Sequence, residues 1–199
     1  DCAMINYLRC CDFILKSNIK NKFNDDKILL LENNYKKSLD CLLNLQVTIN
    51  NKKTIWPQQA DPITLDPVKG RNFEVESLCS LESVQVLIYL MKKHPTQKIK
   101  DAIISGCEWF KTHSISGYKQ YIYNDNITVS KTNDNVSLLW SRYYTLDTEE
   151  PVFFDRDGII YTIETFNNNS VERRNGYTWL GMWGNFLLKI YNEWCLIYN

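Results

Sequence analysis

Apolar side chains return at helical intervals in two separate pairs of segments, and this recurrence restricts the chain to architectures built from antiparallel helix pairs. Met4, Leu8, Cys11 and Leu15 share one helical face, and Asn24-Asp25-Asp26 then forms a cap before Ile28, Leu31, Tyr35, Leu39 and Leu42. A second pair follows. Ser80 is placed to cap a helix carrying Val84, Leu87, Ile88 and Met91; Pro95 stops it, and Ile99, Ile103, Gly106 and Phe110 mark its partner. Repeated pairs of this kind predict a mainly α fold, a helical toroid or a bundle. Residues 54–77 between the pairs are rich in proline and polar groups and read as a long ordered loop, a feature that in compact domains usually serves function. Over 118–136 the pattern changes to short alternating pieces, Tyr121-Ile122-Tyr123 and Ile127-Thr128-Val129, joined by Asn124-Asp125-Asn126 as a small β-hairpin. A polar turn at Asn167-Asn168-Asn169-Ser170 precedes a last apolar helix with Phe186, Ile190 and Trp194.

No low-complexity linker divides the 199 residues, so residues 1–199 are expected to form one domain. No apolar run approaches the roughly 18 residues that a membrane span needs. Lys+Arg and Asp+Glu each total 23, which leaves no net field to attract nucleic acid. Any polyanion must therefore be held by local clusters. The seven cysteines lack zinc-site spacing, and Cys11, Cys41 and Cys107 fall on apolar helix faces, as reduced core thiols do. The chain opens on Asp1 directly into helical periodicity, which reads as a truncated start.

Local clusters are present. Trp140-Ser141-Arg142-Tyr143-Tyr144, Asp155-Arg156-Asp157-Gly158 and Glu172-Arg173-Arg174-Asn175-Gly176-Tyr177-Thr178-Trp179 each set arginine beside acids or aromatic rings, and Arg71 stands near Glu74 and Glu76. A guanidinium steadied by a carboxylate is aimed to grip another carboxylate through two hydrogen bonds, and an aromatic face beside it suits a sugar ring. Taken singly, each has a plainer reading: Asp61 before Pro62 as a turn former, Arg71 as a surface ion pair, Arg156 in a turn closed by Gly158, and Arg173-Arg174 as a solvated helix face. Their recurrence in loops and at element ends points to a groove for an acidic sugar polymer. His94 and His113 stand without evident partners, which argues against a histidine triad or a zinc centre, and no glycine-rich phosphate loop occurs.

In order along the chain, Asp1-Cys2-Ala3-Met4-Ile5-Asn6, Trp56-Pro57-Gln58-Gln59-Ala60-Asp61-Pro62, Arg71-x-Phe73-Glu74 with Ser77-Leu78, Glu82-Ser83-Val84, Trp140-x-Arg142-Tyr143-Tyr144, Pro151-x-Phe153 to Asp157-Gly158, and Glu172-Arg173-Arg174-x-Gly176-Tyr177-x-Trp179 resemble the pectate lyases of polysaccharide lyase family 10. The resemblance implies an (α/α) helical toroid, usually exported to the cell surface or beyond and acting as a monomer on polygalacturonate or pectin. It also implies β-elimination assisted by calcium. Abstraction of the C5 proton builds charge on the uronate carboxylate, so cations must offset it, and calcium and arginine are suited to this.

On this resemblance Arg71 matches the family's arginine base, and Arg142 and Arg156 match arginines that hold uronate carboxylates. Asp61 and Glu74 would orient the site, Arg174, Tyr177 and Trp179 would border the groove, and Asp1 matches the neighbourhood of a calcium-binding aspartate. The family usually has histidine where this chain has Ala60, and its amino-terminal part, with a Gly-Gly-Trp-Pro segment, would precede Asp1. Two other readings stay open. A pectin-binding remnant would keep the arginines without cleavage, and a toroidal glycoside hydrolase would need opposed carboxylates, such as Asp61 with Asp155 or Asp157, one of them with a raised pKa.

Overall fold

In the computed structural model, which describes residues 2–198, the first helix pair forms where the periodicity places it. Helix α1 (Ala3–Lys16) buries Ile5, Leu8 and Cys11, and a 3-10 turn (Asn18–Lys22) leads to α2 (Asp25–Asn44). The Asn24 side chain accepts a hydrogen bond from the Lys27 amide at 3.1 Å, while Asp25 and Asp26 occupy the first turn, where the helix dipole favours negative charge. The pair is tied to the next helix by a polar knot. Lys93 Nζ and Tyr89 OH both donate to the Asp12 carboxylate, and the ammonium lies 4.0 Å from the centre of the Tyr89 ring.

Helices α3 (Ser80–Met91) and α4 (Gln97–Thr112) make the second pair, with Thr96 capping α4 through the Ile99 amide. Their close approach depends on Gly106, because a Cβ there would lie 2.8 Å from Leu87 Cδ2. Ser80 does not act as the expected cap. The N-cap of α3 is Cys79, without a side-chain hydrogen bond, while Ser80 Oγ donates to the Ser141 carbonyl at 2.5 Å and accepts from Trp183 Nε1 at 2.9 Å. A short α5 (Val171–Gly176) and the final α6 (Trp183–Tyr198) complete the helices, and α6 packs Leu187, Tyr191 and Trp194 against α3 and α4.

Among the described residues ten strands are interleaved with these helices: β1 (Thr48–Ile49), β2 (Lys52–Lys53), β3 (Leu78–Cys79), β4 (Tyr118–Tyr123), β5 (Asn126–Lys131), β6 (Trp140–Ser141), β7 (Tyr143–Tyr144), β8 (Pro151–Phe154), β9 (Ile160–Tyr161) and β10 (Leu180–Gly181). They pair antiparallel as the hairpins β1–β2 and β4–β5, the pair β6–β10, and a four-stranded sheet in the order β3-β7-β8-β9. The β4–β5 hairpin turns through Asn124 and Asp125, with φ of 46° and 59°, as a two-residue turn between right-twisted strands requires.

The mainly α toroid expected from the sequence is therefore corrected to a mixed fold, six helices with several small sheets. The physical reason lies in the second of two cores. One core is helical, centred on Leu8, Leu87, Ile103, Phe110 and Leu187; the other is aromatic, formed by Tyr143, Phe153, Phe154, Phe166 and Trp179 against the four-stranded sheet. Its strands hide from pattern reading. Seven of the ten described strands are two residues long, and in β8 the successive residues Val152, Phe153 and Phe154 are all buried, so no alternation betrays a strand. No helix among the described residues is long and apolar enough to cross a membrane.

Candidate active site

Glu74 organises the site. It is 4% exposed, and its carboxylate collects the Arg71 amide at 2.9 Å, Gln58 Nε2 at 3.0 Å, Arg71 Nη1 at 3.2 Å and Tyr177 OH at 3.4 Å. The loop can curl over this carboxylate because residue 70 is glycine: a Cβ there would lie 2.3 Å from Glu74 Oε2. These donors meet the hydrogen-bonding capacity that a buried carboxylate must satisfy. Arg71 is held by one corner of its fork while its side chain stays 64% exposed, so most of the guanidinium faces outward.

From Tyr177 the site continues through aromatic rings. Tyr177 OH lies 3.2 Å from Tyr143 OH, and the Arg142 guanidinium carbon stands 4.9 Å and 5.4 Å from the centres of the Tyr177 and Tyr143 rings. Arg142 also donates through Nη2 to Glu82, which in turn accepts from the Cys79 thiol. Burial opposes the charge on Arg142, but the neighbouring Tyr143 and Glu82 outweigh it and push its pKa above the ordinary arginine value. The same guanidinium, with the Cys79 thiol as hydrogen-bond donor, holds Glu82 below the usual carboxylate range although burial acts against ionisation. Burial also raises the Tyr143 phenol, which stays neutral and able to donate.

Arg71, Glu74, Arg142 and Tyr177, called from positions as much as 106 apart in the sequence, thus meet in one contact set. Arg156 borders it through Phe73, whose ring centre lies 5.7 Å from the Arg156 guanidinium and 5.1 Å from that of Arg173. Its fork is already closed on Glu172, with two hydrogen bonds of 2.8 Å. Asp61 lies on an adjoining groove of about 550 Å³, shared with Gln58 and Glu82. One Asp61 oxygen accepts the Ile63 and Thr64 amides at 2.8 Å, and these bonds hold the carboxyl below its ordinary pKa.

Other called residues stand elsewhere. Trp179 is a core residue, 2% exposed, with Nε1 donating to the Arg173 carbonyl at 2.8 Å. Arg174 binds two backbone carbonyls, those of Asn169 at 3.1 Å and Ile127 at 2.8 Å. Trp56 is likewise buried, anchoring its loop by a 2.7 Å hydrogen bond to the Leu42 carbonyl. Asp1 lies outside the described residues.

Several participants escape the sequence reading. Arg173, read as part of a solvated helix face, is 2% exposed and stacks 4.3 Å from the Tyr177 ring centre and 5.0 Å from that of Trp179. Glu82 could have been singled out as the one charged residue of α3. His113, apparently isolated in sequence, stacks on Trp109 at 4.4 Å and lies 3.4 Å from Glu149. Its partners are structural. The seven cysteines are free, with Cys11, Cys79 and Cys107 buried.

The carboxylates proposed for a hydrolase are committed to backbone. Asp155 is buried, which disfavours its charge, yet the Ser170 and Arg156 amides at 2.5 Å and 2.7 Å outweigh this and lower its pKa. Asp61 is lowered too, and Asp157 accepts the Ile159 amide at 2.9 Å. A glycoside hydrolase needs one of its acids raised, so this pair is unsuited to the task. Among the described residues no group of three or more His, Cys, Asp or Glu side chains converges on a point where a cation could sit, so these residues alone do not fit a calcium ion.

The family model described as pectic acid lyase matches residues 1–188. A family 10 polysaccharide lyase from Cellvibrio cellulosa superposes with a TM-score of 0.84 at 29% identity, covering 98% of this chain and 61% of that one. An aspartate-to-alanine variant of a family 10 polysaccharide lyase from the same organism, in complex with trigalacturonic acid, gives 0.83 at 29% identity over 96% and 60%. The chain therefore spans about six tenths of the length of these solved lyases. No curated protein matches the sequence significantly. With its family model covering all but the last residues and two family 10 lyases sharing its fold, the chain belongs to the pectic acid lyase family.

Proposed function

We propose that this chain is a pectate lyase that cleaves polygalacturonate by β-elimination, with Arg71 as the base. The observation that carries the reading is the mounting of Arg71: a buried Glu74 fixes one corner of the guanidinium and leaves the rest exposed, beside an Arg142 steadied by Glu82 and Tyr177. A neighbour solved with trigalacturonic acid supports the substrate class.

In the proposed reaction Arg71, having lost a proton to solvent, takes the proton from C5 of a galacturonate unit. The C5–H electrons form the C4–C5 double bond, and the C4–O bond breaks with its electrons leaving on oxygen, which takes a proton from water. Negative charge builds meanwhile on the uronate carboxylate, and Arg142, kept positive by its surroundings, offsets it. Arg156 exchanges Glu172 for a second uronate at the border of the site, and Asp61 shapes the adjoining groove. Calcium enters the proposal through the family likeness alone. Export and monomeric action follow from the same family likeness.

The test is product chemistry. Polygalacturonate incubated with the protein and calcium is expected to yield unsaturated oligogalacturonides, seen by ultraviolet absorbance, and a chelator is expected to stop their release. New reducing ends without that absorbance would indicate hydrolysis, and undiminished cleavage in excess chelator would refute the role of calcium.

A further inference from the structure

Three of the groove's arginines have a carboxylate within ion-pair distance: Arg71 with Glu74, Arg142 with Glu82, Arg156 with Glu172. Arg174 differs. Its hydrogen bonds run to the backbone carbonyls of Asn169 and Ile127, which aim the guanidinium and satisfy two of its donors without offsetting its charge. Among the described residues no acidic side chain lies within ion-pair distance of it. Such a cation, partly buried and fixed at both ends, keeps its attraction for an anion while paying little ordering cost to bind one.

It also borders a cavity. Between the β4–β5 hairpin and α5, a cavity of about 240 Å³ is lined by Gln120, Ile127, Arg174, Asn175, Tyr177 and Thr178 among others. Asn175 is spent on the hairpin, accepting the Ile127 amide at 2.8 Å and donating to the Asp125 carbonyl at 2.9 Å, so the wall is held in place. Gln120 and Thr178 are exposed and bring an amide and a hydroxyl to the opening. Tyr177 belongs to both places: it lines this cavity, while its hydroxyl reaches Tyr143 and Glu74 and its ring underlies Arg142.

The geometry points to a separate uronate subsite here, in which Arg174 takes the carboxylate of a sugar unit, Gln120 and Thr178 meet its hydroxyls, and Tyr177 joins the subsite to the groove of Arg71 and Arg142. The inference rests on the proposed polygalacturonate reading and adds a consequence: affinity grows with chain length beyond what the main groove alone spans.

The experiment is calorimetric titration of the full chain with galacturonate oligomers from three to six units. Arg174 also pins β5, so the main variant is Gln120→Glu, which sets a negative charge at the opening from an exposed position; Arg174→Lys is the second. The unmodified protein is expected to bind the hexamer about tenfold more tightly than the trimer, one charge-assisted contact being of that size. In Gln120→Glu that gain is expected to vanish, with trimer affinity within about twofold and the melting temperature unchanged. Length-independent affinity in the unmodified protein, an unchanged gain in Gln120→Glu, or equal weakening of every length would overturn the subsite while leaving the proposed function standing. Absence of binding at any length would overturn both.

Discussion

At the scale of single residues, what sets the site is how each charge is compensated. Glu74 and Glu82 share the task of steadying an arginine but do it differently: Glu74 takes one corner of Arg71 and leaves it exposed, whereas Glu82 meets an Arg142 whose side chain is only 14% exposed and roofed by two tyrosines. Arg142 is therefore cast as a carboxylate clamp, and Arg142→Lys is expected to raise KM about tenfold or more, because a planar fork becomes a point charge. Steady-state kinetics on polygalacturonate check this, and an unchanged KM with lost turnover would reassign Arg142 to the chemical step. Arg71, Glu74 and Arg142 were legible because an arginine near an acid is a local sequence signal. Arg173 was not, because its burial is decided by Phe73 and Phe154, which lie about 100 and 19 positions upstream in the chain.

At the scale of elements, long helices were legible and short strands were not. Asn24 and the 3.6-residue period announce α1 and α2, and Asn124-Asp125 announces the β4–β5 turn, since these signals lie within a few residues of one another. The pairing of β3 with β7 joins residues more than sixty positions apart through two-residue strands, and no local pattern encodes it. In the helical core α6 comes close to Trp140 at Gly184, where a Cβ would lie 2.4 Å from the buried ring. Gly184→Ala is expected to destabilise the fold by about 1–3 kcal/mol through overpacking, despite the better helix propensity of alanine. Ser170 caps α5 and donates to Asp155 at 3.1 Å, so Ser170→Ala is expected to cost about 1 kcal/mol. Chemical denaturation measures both, and a Gly184→Ala protein as stable as the parent would show that Trp140 can shift to make room.

At the scale of the whole molecule, the fold depends on ionised carboxylates joining distant elements: Asp12 links α1 to α3, Glu82 links α3 to Arg142, and Asp155 links β8 to α5. Each is held below its ordinary pKa, so each contributes stability that is present above the normal carboxyl value of about 4 and is lost as pH falls through the folded value. The melting temperature is expected to be level from neutrality to about pH 5 and to fall below about pH 4; a profile flat to about pH 2 would show that these links are dispensable.

The central claim, elimination with Arg71 as the base, is tested most directly by the rate at which unsaturated product absorbance appears from polygalacturonate with the protein and with its Arg71→Lys variant. Arg71 is exposed, so the variant is expected to keep its melting temperature and nearly its KM while losing about 10²–10⁴-fold in turnover, the usual worth of a general base. Near-normal turnover in Arg71→Lys, or no unsaturated product from the parent, would contradict the account.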